Sequence, residues 1–301
     1  MSKAPKDIFQ KCRDYRDTAD ARAQGFYPYF RSIEEPHGNY VICEGERKIM
    51  IGSNNYLGLA QDPRVVEAAC EAIKKYGSGC TGSRLLNGTI KLHVELEEAL
   101  ADFLGRDAAI LFSTGFFANQ GALIALTEDG DAILCDRENH ASIIDGCNFA
   151  PGKLIPFRHN SASSLENRLK RLPEEAGRLV ILDGVFSMSG DIADLPEINA
   201  AAKRHHAAMY VDEAHSLGVL GRQGRGAVDH FGLNDEVEIV MGTFSKSLGS
   251  MGGFIAGDAQ MIEYLKHRAR CLIFTAALAP AVVGGVKKAL ELMQEETWRI
   301  D

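Results

Sequence analysis

Four short segments carry residues that could do chemistry together. Asp212 stands directly after the apolar run Ala208-Met209-Tyr210-Val211, and His215 follows three residues on. Such a run reads as a buried strand, and ligands of open α/β sheets gather at strand carboxyl ends. Asp212 there suits a ligand-facing carboxylate, and it equally suits the cap of a following helix. Lys246 lies past a second apolar run, 237–241, within Gly242-Thr243-Phe244-Ser245-Lys246-Ser247-Leu248-Gly249. A lysine among hydroxyls and glycines fits an anion site, an amine poised to form a Schiff base, or an exposed loop. Ser113-Thr114-Gly115-Phe116-Phe117-Ala118-Asn119 joins the run 108–112 to a helix. Its first amides would cradle a phosphate or simply open a capped turn. Asn139-His140-Ala141-Ser142 follows the run 132–135, and His140 fits either a ring lying flat against a planar ligand or a plain loop histidine.

Together these strand ends offer a phosphate cradle, a carboxylate, an imidazole and a lysine. Pyridoxal phosphate demands that set: the lysine takes the aldehyde, and the carboxylate keeps the ring nitrogen protonated so that the ring acts as an electron sink.

The elements that must position these groups follow from the hydrophobic pattern. Apolar runs at 108–112, 132–135, 179–182, 208–211, 237–241 and 253–256 have strand length. Helix-like stretches such as 163–172 and 195–206 separate most of them, which predicts an α/β fold with a mainly parallel central sheet flanked by helices. Asp62-Pro63 opens a helix with Val65, Val66, Ala69 and Ile73 on one face. A second stripe runs from Leu92 to Phe103, a strand pair is expected near 40–43 and 48–51, and a last helix near 281–294.

The chain has 301 residues and a net charge of −8, which disfavours a general binder of nucleic acid. Its seven cysteines are odd in number and contain no CxxC pair, so neither a disulfide framework nor a cysteine zinc site is expected, and a reducing, cytoplasmic setting fits best. No transmembrane run, secretory signal or metal site is visible. Gly77-Ser78-Gly79-Cys80-Thr81-Gly82 matches a dinucleotide fingerprint but follows a helix where a strand is required. Asp212-Glu213-Ala214-His215 spells a helicase box, yet no GxxxxGK[ST] loop accompanies it.

The order STGFFAN, ENHASIIDG, DGVFSMSGDIADLPEI, VDEAHSLGVLGRQGRG, GTFSKSLGSMGGF and IFTA resembles the α-oxoamine synthases, fold-type I pyridoxal-phosphate transferases of the aspartate aminotransferase-like fold. The resemblance runs from about Gly25 to the end. It implies that Lys246 carries the cofactor and then serves as acid and base, that Asp212 pairs with the ring nitrogen, that His215 meets the ring hydroxyl, and that His140 stacks on the ring. It implies phosphate contacts from Gly115, Phe116, Thr243 and Ser245, with Ser187 near the ring. Thr275 would reach the phosphate of a neighbouring subunit in a homodimer, and Asn55 would line the substrate pocket.

Within the family, Cys80-Thr81-Gly82-Ser83-Arg84-Leu85-Leu86-Asn87-Gly88-Thr89, Phe157-Arg158-His159-Asn160-Ser161 and GFYPYFR are most similar to the bacterial serine palmitoyltransferase branch. That branch condenses L-serine with a long-chain acyl-CoA, releasing CoA and CO2 and giving 3-ketosphinganine for sphingolipid synthesis. The alternative branch is 8-amino-7-oxononanoate synthase, which takes alanine and a pimeloyl thioester. A non-catalytic subunit is the reading of a different class. The expected division is a segment at 1–50, a large cofactor domain at 51–278, and a connecting helix at 279–301 entering a truncated small domain. The substrate-carboxylate arginine of the family would then lie beyond the chain, and the apolar face of the last helix would stand open to water.

Overall fold

The computed structural model describes residues 6–300. They fall into two compact units, Met1–Gly52 and Ser53–Asp301. The first unit holds two short helices, α1 (Gln10–Arg13) and α2 (Asp17–Ala23), and an antiparallel meander of β1 (Ile33–His37), β2 (Tyr40–Cys43) and β3 (Glu46–Ile49).

The second unit continues with α3 (Pro63–Tyr76), α4 (Lys91–Leu104), β4 (Ala108–Phe112), α5 (Gly115–Leu126), β5 (Ala132–Asp136) and α6 (Ala141–Phe149). Then come β6 (Lys153–Phe157), α7 (Ala162–Leu169), β7 (Arg178–Asp183), α8 (Leu195–Arg204), β8 (Ala208–Asp212) and α9 (Ala227–His230). It closes with β9 (Ile239–Thr243), β10 (Gly253–Gly257), α10 (Ala259–Arg268), α11 (Arg270–Ile273) and α12 (Pro280–Glu295). Among the described residues its sheet has seven strands in the order β4-β10-β9-β8-β7-β5-β6. Pairings from β6 through β9 are parallel, and β10 runs antiparallel to both of its neighbours. The α/β fold with a mainly parallel sheet is therefore as the pattern predicts.

Period-2 alternation sends side chains to two cores. Met209, Val211, Val180 and Leu182 enter one, while Tyr210, Leu179 and Ile181 enter the other. The same alternation carries Asp183 and Asp212, the last residues of β7 and β8, to the Tyr210 side. They are direct register partners.

β6 escapes the sequence reading because Pro156 interrupts its run; it lies at the sheet edge, where a missing N–H is tolerated. The last helix differs from expectation. Its Val283, Val286, Ala289, Leu290, Leu292 and Met293 are buried, not open to water. They find a partner within the chain because Gly284 lets α12 approach α3 closely. A Cβ there would meet Ala68 O and Ala72 Cβ, each at 2.8 Å. Among the described residues no helix is long and apolar enough to cross a membrane.

This contact makes a paired prediction. Gly284→Val should cost about 1–3 kcal/mol by overpacking. Gly285→Ala, whose added Cβ has nothing nearer than 3.6 Å, should be neutral or stabilising by up to about 1 kcal/mol. Urea unfolding midpoints check both.

Candidate active site

The helix starts after β4 and β5 bring donors to the sheet edge that holds the two aspartates. Thr114 caps α5 by accepting the Phe117 amide at 3.0 Å, which leaves the Gly115 and Phe116 amides free of intrahelical acceptors. Gly115 is needed where it stands: a Cβ would lie 2.9 Å from Thr243 Oγ1 and 3.1 Å from Met241 Cε. His140 caps α6, its Nδ1 accepting the Ser142 amide at 3.2 Å.

These parts line a cavity of about 350 Å³ with Asp183, Asp212, His215, Thr243, Ser245 and Lys246. A larger cleft of about 670 Å³, between 129–132 and 153–156, holds none of them. Asp212 Oδ1 accepts the Ala214 amide at 2.9 Å, and Oδ2 accepts Asn119 Nδ2 at 2.7 Å. Asp183 Oδ2 accepts the His140 amide at 2.9 Å. Burial first, and then the neighbouring Asp212, push the Asp183 carboxyl well above the usual range. Burial lowers the Lys246 ammonium, opposed by Asp212 and Asp183, so more of it is present as the nucleophilic free amine. Among the described residues no hydrogen bond or ion pair is recorded for its Nζ. His215 is lowered to about 4, by burial and then by Lys246 and His140. Its Nδ1 lies 2.7 Å from the Tyr56 hydroxyl.

Eight residues singled out in the sequence thus meet in one cavity: Gly115, Phe116, His140, Asp212, His215, Thr243, Ser245 and Lys246. Ser187 lines an adjoining hollow of about 400 Å³ that shares His215 with the cavity and is also lined by Tyr56. Asn55 is placed elsewhere. Its carboxamide accepts the Ala60 amide at 3.2 Å, and its neighbour Asn54 lines the cavity. Thr275 lies in a separate small recess with Ser113 and Arg84. Sequence reasoning passed over Asp183, Asn119 and Ser142. Asp183 had the same signal as Asp212, an acid ending an apolar run; Asn119 lies beside Gln120 in a helix that is otherwise apolar. Glu213 is not a site residue: it is fully buried and caps α9 through the Ala227 and Val228 amides at 2.7 and 2.8 Å.

A family model for aminotransferases of class I and II matches residues 46–301. The chain belongs to the aminotransferase class I and II family. Among curated members it is 50% identical to serine palmitoyltransferase of Sphingobacterium spiritivorum, over 96% of this chain and 72% of that protein. It is 47% identical to 8-amino-7-oxononanoate synthase of Fervidobacterium nodosum, over 92% of this chain and 71% of that one. Among solved aminotransferase-family structures, a serine palmitoyltransferase variant from S. paucimobilis with bound PLP–myriocin aldimine superposes with a TM-score of 0.92, at 39% identity, covering 97% of this chain and 76% of that one. The resemblance to α-oxoamine synthases, nearest the palmitoyltransferase branch, is borne out.

The wall of the adjoining hollow is clasped by His159. Its Nδ1 lies 3.0 Å from Asp136 and its Nε2 3.2 Å from Asp191, and the ring meets Phe186 edge-on. Burial alone would lower its pKa, but the two carboxylates outweigh it and the net shift is upward. The stabilisation from this clasp is therefore complete below the ordinary histidine pKa of about 6.5 and is lost as pH rises through the raised folded value. An NMR titration should place His159 above about 6.5, and Asp191→Asn should bring it down. A value at or below the ordinary one would refute the clasp.

Proposed function

We propose that this chain is a pyridoxal-phosphate-dependent serine palmitoyltransferase: it condenses L-serine with a long-chain acyl-CoA, loses CO2 and CoA, and gives 3-ketosphinganine for sphingolipid synthesis. The observation that carries the reading is the presence, in a chain 50% identical to a serine palmitoyltransferase, of a desolvated lysine and a buried carboxylate in one cavity.

The residues present fit the cofactor. A Cβ on Gly115 would press on Thr243 Oγ1 at 2.9 Å, and the Ser245 hydroxyl lies 2.9 Å from that oxygen, so glycine keeps the start of α5 close to both hydroxyls. The Gly115 and Phe116 amides and the Ser245 hydroxyl would hold a phosphate, with Thr243, whose hydroxyl donates to Gly252 O at 2.9 Å, free to join them by turning that hydroxyl. Asp212, fixed by the two hydrogen bonds it accepts from Asn119 and the Ala214 amide, would hold the proton on a ring nitrogen. His215, whose Nδ1 lies 2.7 Å from the Tyr56 hydroxyl, would meet a ring hydroxyl with its Nε2. His140 would lie against the ring face and help set which substrate bond stands perpendicular to it. When bound, pyridoxal phosphate supplies an electron sink for a carbanion at the amino-acid Cα. Lys246, its ammonium lowered by burial, would take the Cα proton of serine and return one after CO2 leaves. The hollow lined by Ser187, Val185, Phe186 and Val219 adjoins His215 and offers apolar wall beside the reacting atoms.

A homodimer, with Thr275 serving the partner's phosphate, and a cytoplasmic setting belong to the same proposal. All seven cysteines are unpaired, in keeping with a reducing compartment. Size-exclusion chromatography with light scattering should report twice the chain mass.

Three measurements test the assignment. The purified protein should absorb in the visible, borohydride should fix the label on Lys246, and Lys246→Ala should remove it; a label on another lysine would end the assignment. Serine should perturb that absorbance at concentrations where alanine does not, and the reverse order would favour the 8-amino-7-oxononanoate synthase reading. Asp212→Ala should lower turnover by at least about ten-fold, since a charge-assisted hydrogen bond is worth about 1.5–3 kcal/mol before any loss of the sink is counted.

A further inference from the structure

Beneath the cavity, a chain of buried polar groups joins Asp212 to His140. Asn119 is fully buried in the middle of α5, and Ser142 is 1% exposed at the start of α6. Asn119 Nδ2 donates to Asp212 Oδ2 at 2.7 Å and to Ser142 Oγ at 2.9 Å. Asn119 Oδ1 accepts the Tyr210 hydroxyl at 2.8 Å. Ser142 Oγ lies 2.8 Å from His140 Nδ1.

Donor bookkeeping leaves one consistent arrangement. Turning the Asn119 amide over would set its carbonyl oxygen against the Asp212 carboxylate at 2.7 Å, an acceptor facing an acceptor. Asn119 therefore presents its NH2 to both Asp212 and Ser142. With its oxygen receiving Asn119, Ser142 has its own hydrogen left to give, and His140 Nδ1 is the acceptor within reach. The Ser142 amide also points at Nδ1, at 3.2 Å. A nitrogen facing two donors carries no hydrogen, so the neutral ring bears it on Nε2, the nitrogen with no recorded hydrogen bond among the described residues.

We propose that Asn119 and Ser142 are positioning residues: they fix the rotation and the Nε2–H tautomer of His140 and tie both to the carboxylate of Asp212. The bridge makes one rigid unit of two groups that arrive on different elements, β8 and the start of α6. What it does for catalysis rests on reading the cavity as a cofactor site; the bridge itself does not. It would present the imidazole as a hydrogen-bond donor toward a substrate carboxylate while the ring face stays parallel to the cofactor.

Nitrogen-15 NMR of histidine-labelled, cofactor-free protein tests the bridge, with His140→Gln assigning the signal. Wild type should show His140 as the Nε2–H tautomer. Ser142→Ala removes the shorter of the two bonds to Nδ1 and should raise the ratio of Nδ1–H to Nε2–H about five-fold, the equivalent of one neutral hydrogen bond. Ser142→Thr, which keeps the hydroxyl, should hold the wild-type ratio. Asn119→Ala leaves the serine hydroxyl in place but frees it from Asn119, and should shift the ratio in the same direction as Ser142→Ala. An Nδ1–H ring in wild type, or an unchanged ratio in both alanine variants, would overturn the proposal. A separate titration of the wild type with pyridoxal phosphate reads the cofactor assignment independently, because the tautomer is measured without it.

Discussion

Two carboxylates that are register neighbours on adjacent parallel strands cannot both be left bare in a buried cleft. Asp183 and Asp212 are such a pair, and much of the surrounding structure answers that constraint. Asp183 receives the first amide of the His140 turn, while Asp212 receives Asn119 from α5 and the Ala214 amide. Lys246 supplies the positive charge and is itself pressed toward neutrality by burial. Helix starts and one lysine thus converge on a single sheet edge because the acids there require donors. The same convergence builds a place for an anionic, aromatic ligand.

Asp212 and Lys246 were legible because each follows an apolar run of strand length, and a mainly parallel sheet sends such positions to one edge; Asp183 carried the same signal and was passed over. Gly115 was legible for a similar reason, lying where a strand hands over to a helix. Other parts depend on information that order along the chain does not hold. Asn54 and Asn55 lie in a loop with no period, so nothing says which carboxamide faces inward; the backbone turn at Leu59–Gln61 decides it. Asn119 is followed by a second amide, Gln120, and nothing in the helix pattern separates the two; its importance rests on Tyr210, 91 residues away, and on Asp212. The burial of α12 turns on a contact between Gly284 and Ala68, which helical periodicity alone does not reveal.

Crowding at glycine sets the tolerances of the site. A Cβ on Gly253 would lie 2.7 Å from Gly115 Cα, so β10 and the start of α5 touch backbone to backbone. Gly226, at φ +109°, leaves room for the buried Glu213 carboxylate, which a Cβ would approach to 2.5 Å. The loop after Asp212 is therefore anchored at both ends: at Asp212 by its own hydrogen bonds, and at α9 by Glu213. His215 is carried between those anchors.

The reversed strand β10 gives Lys246 an unusual mooring. Because β10 returns beside β9, the lysine sits on a hairpin connection spanning 244–252 instead of a helical crossover. That connection is closed on itself by Phe244 N to Gly252 O at 3.0 Å and Ser250 N to Phe244 O at 2.8 Å. The Ser247 hydroxyl is bonded to Leu217 O at 2.6 Å, and Gly249 packs against Ala60. The backbone under Lys246 is thus a fixed pivot, and the amine's travel is confined to rotation about its own methylene bonds. The amine then works as a crane on a bolted base, with its reach set by side-chain length and its timing by rotamer exchange, not by loop opening.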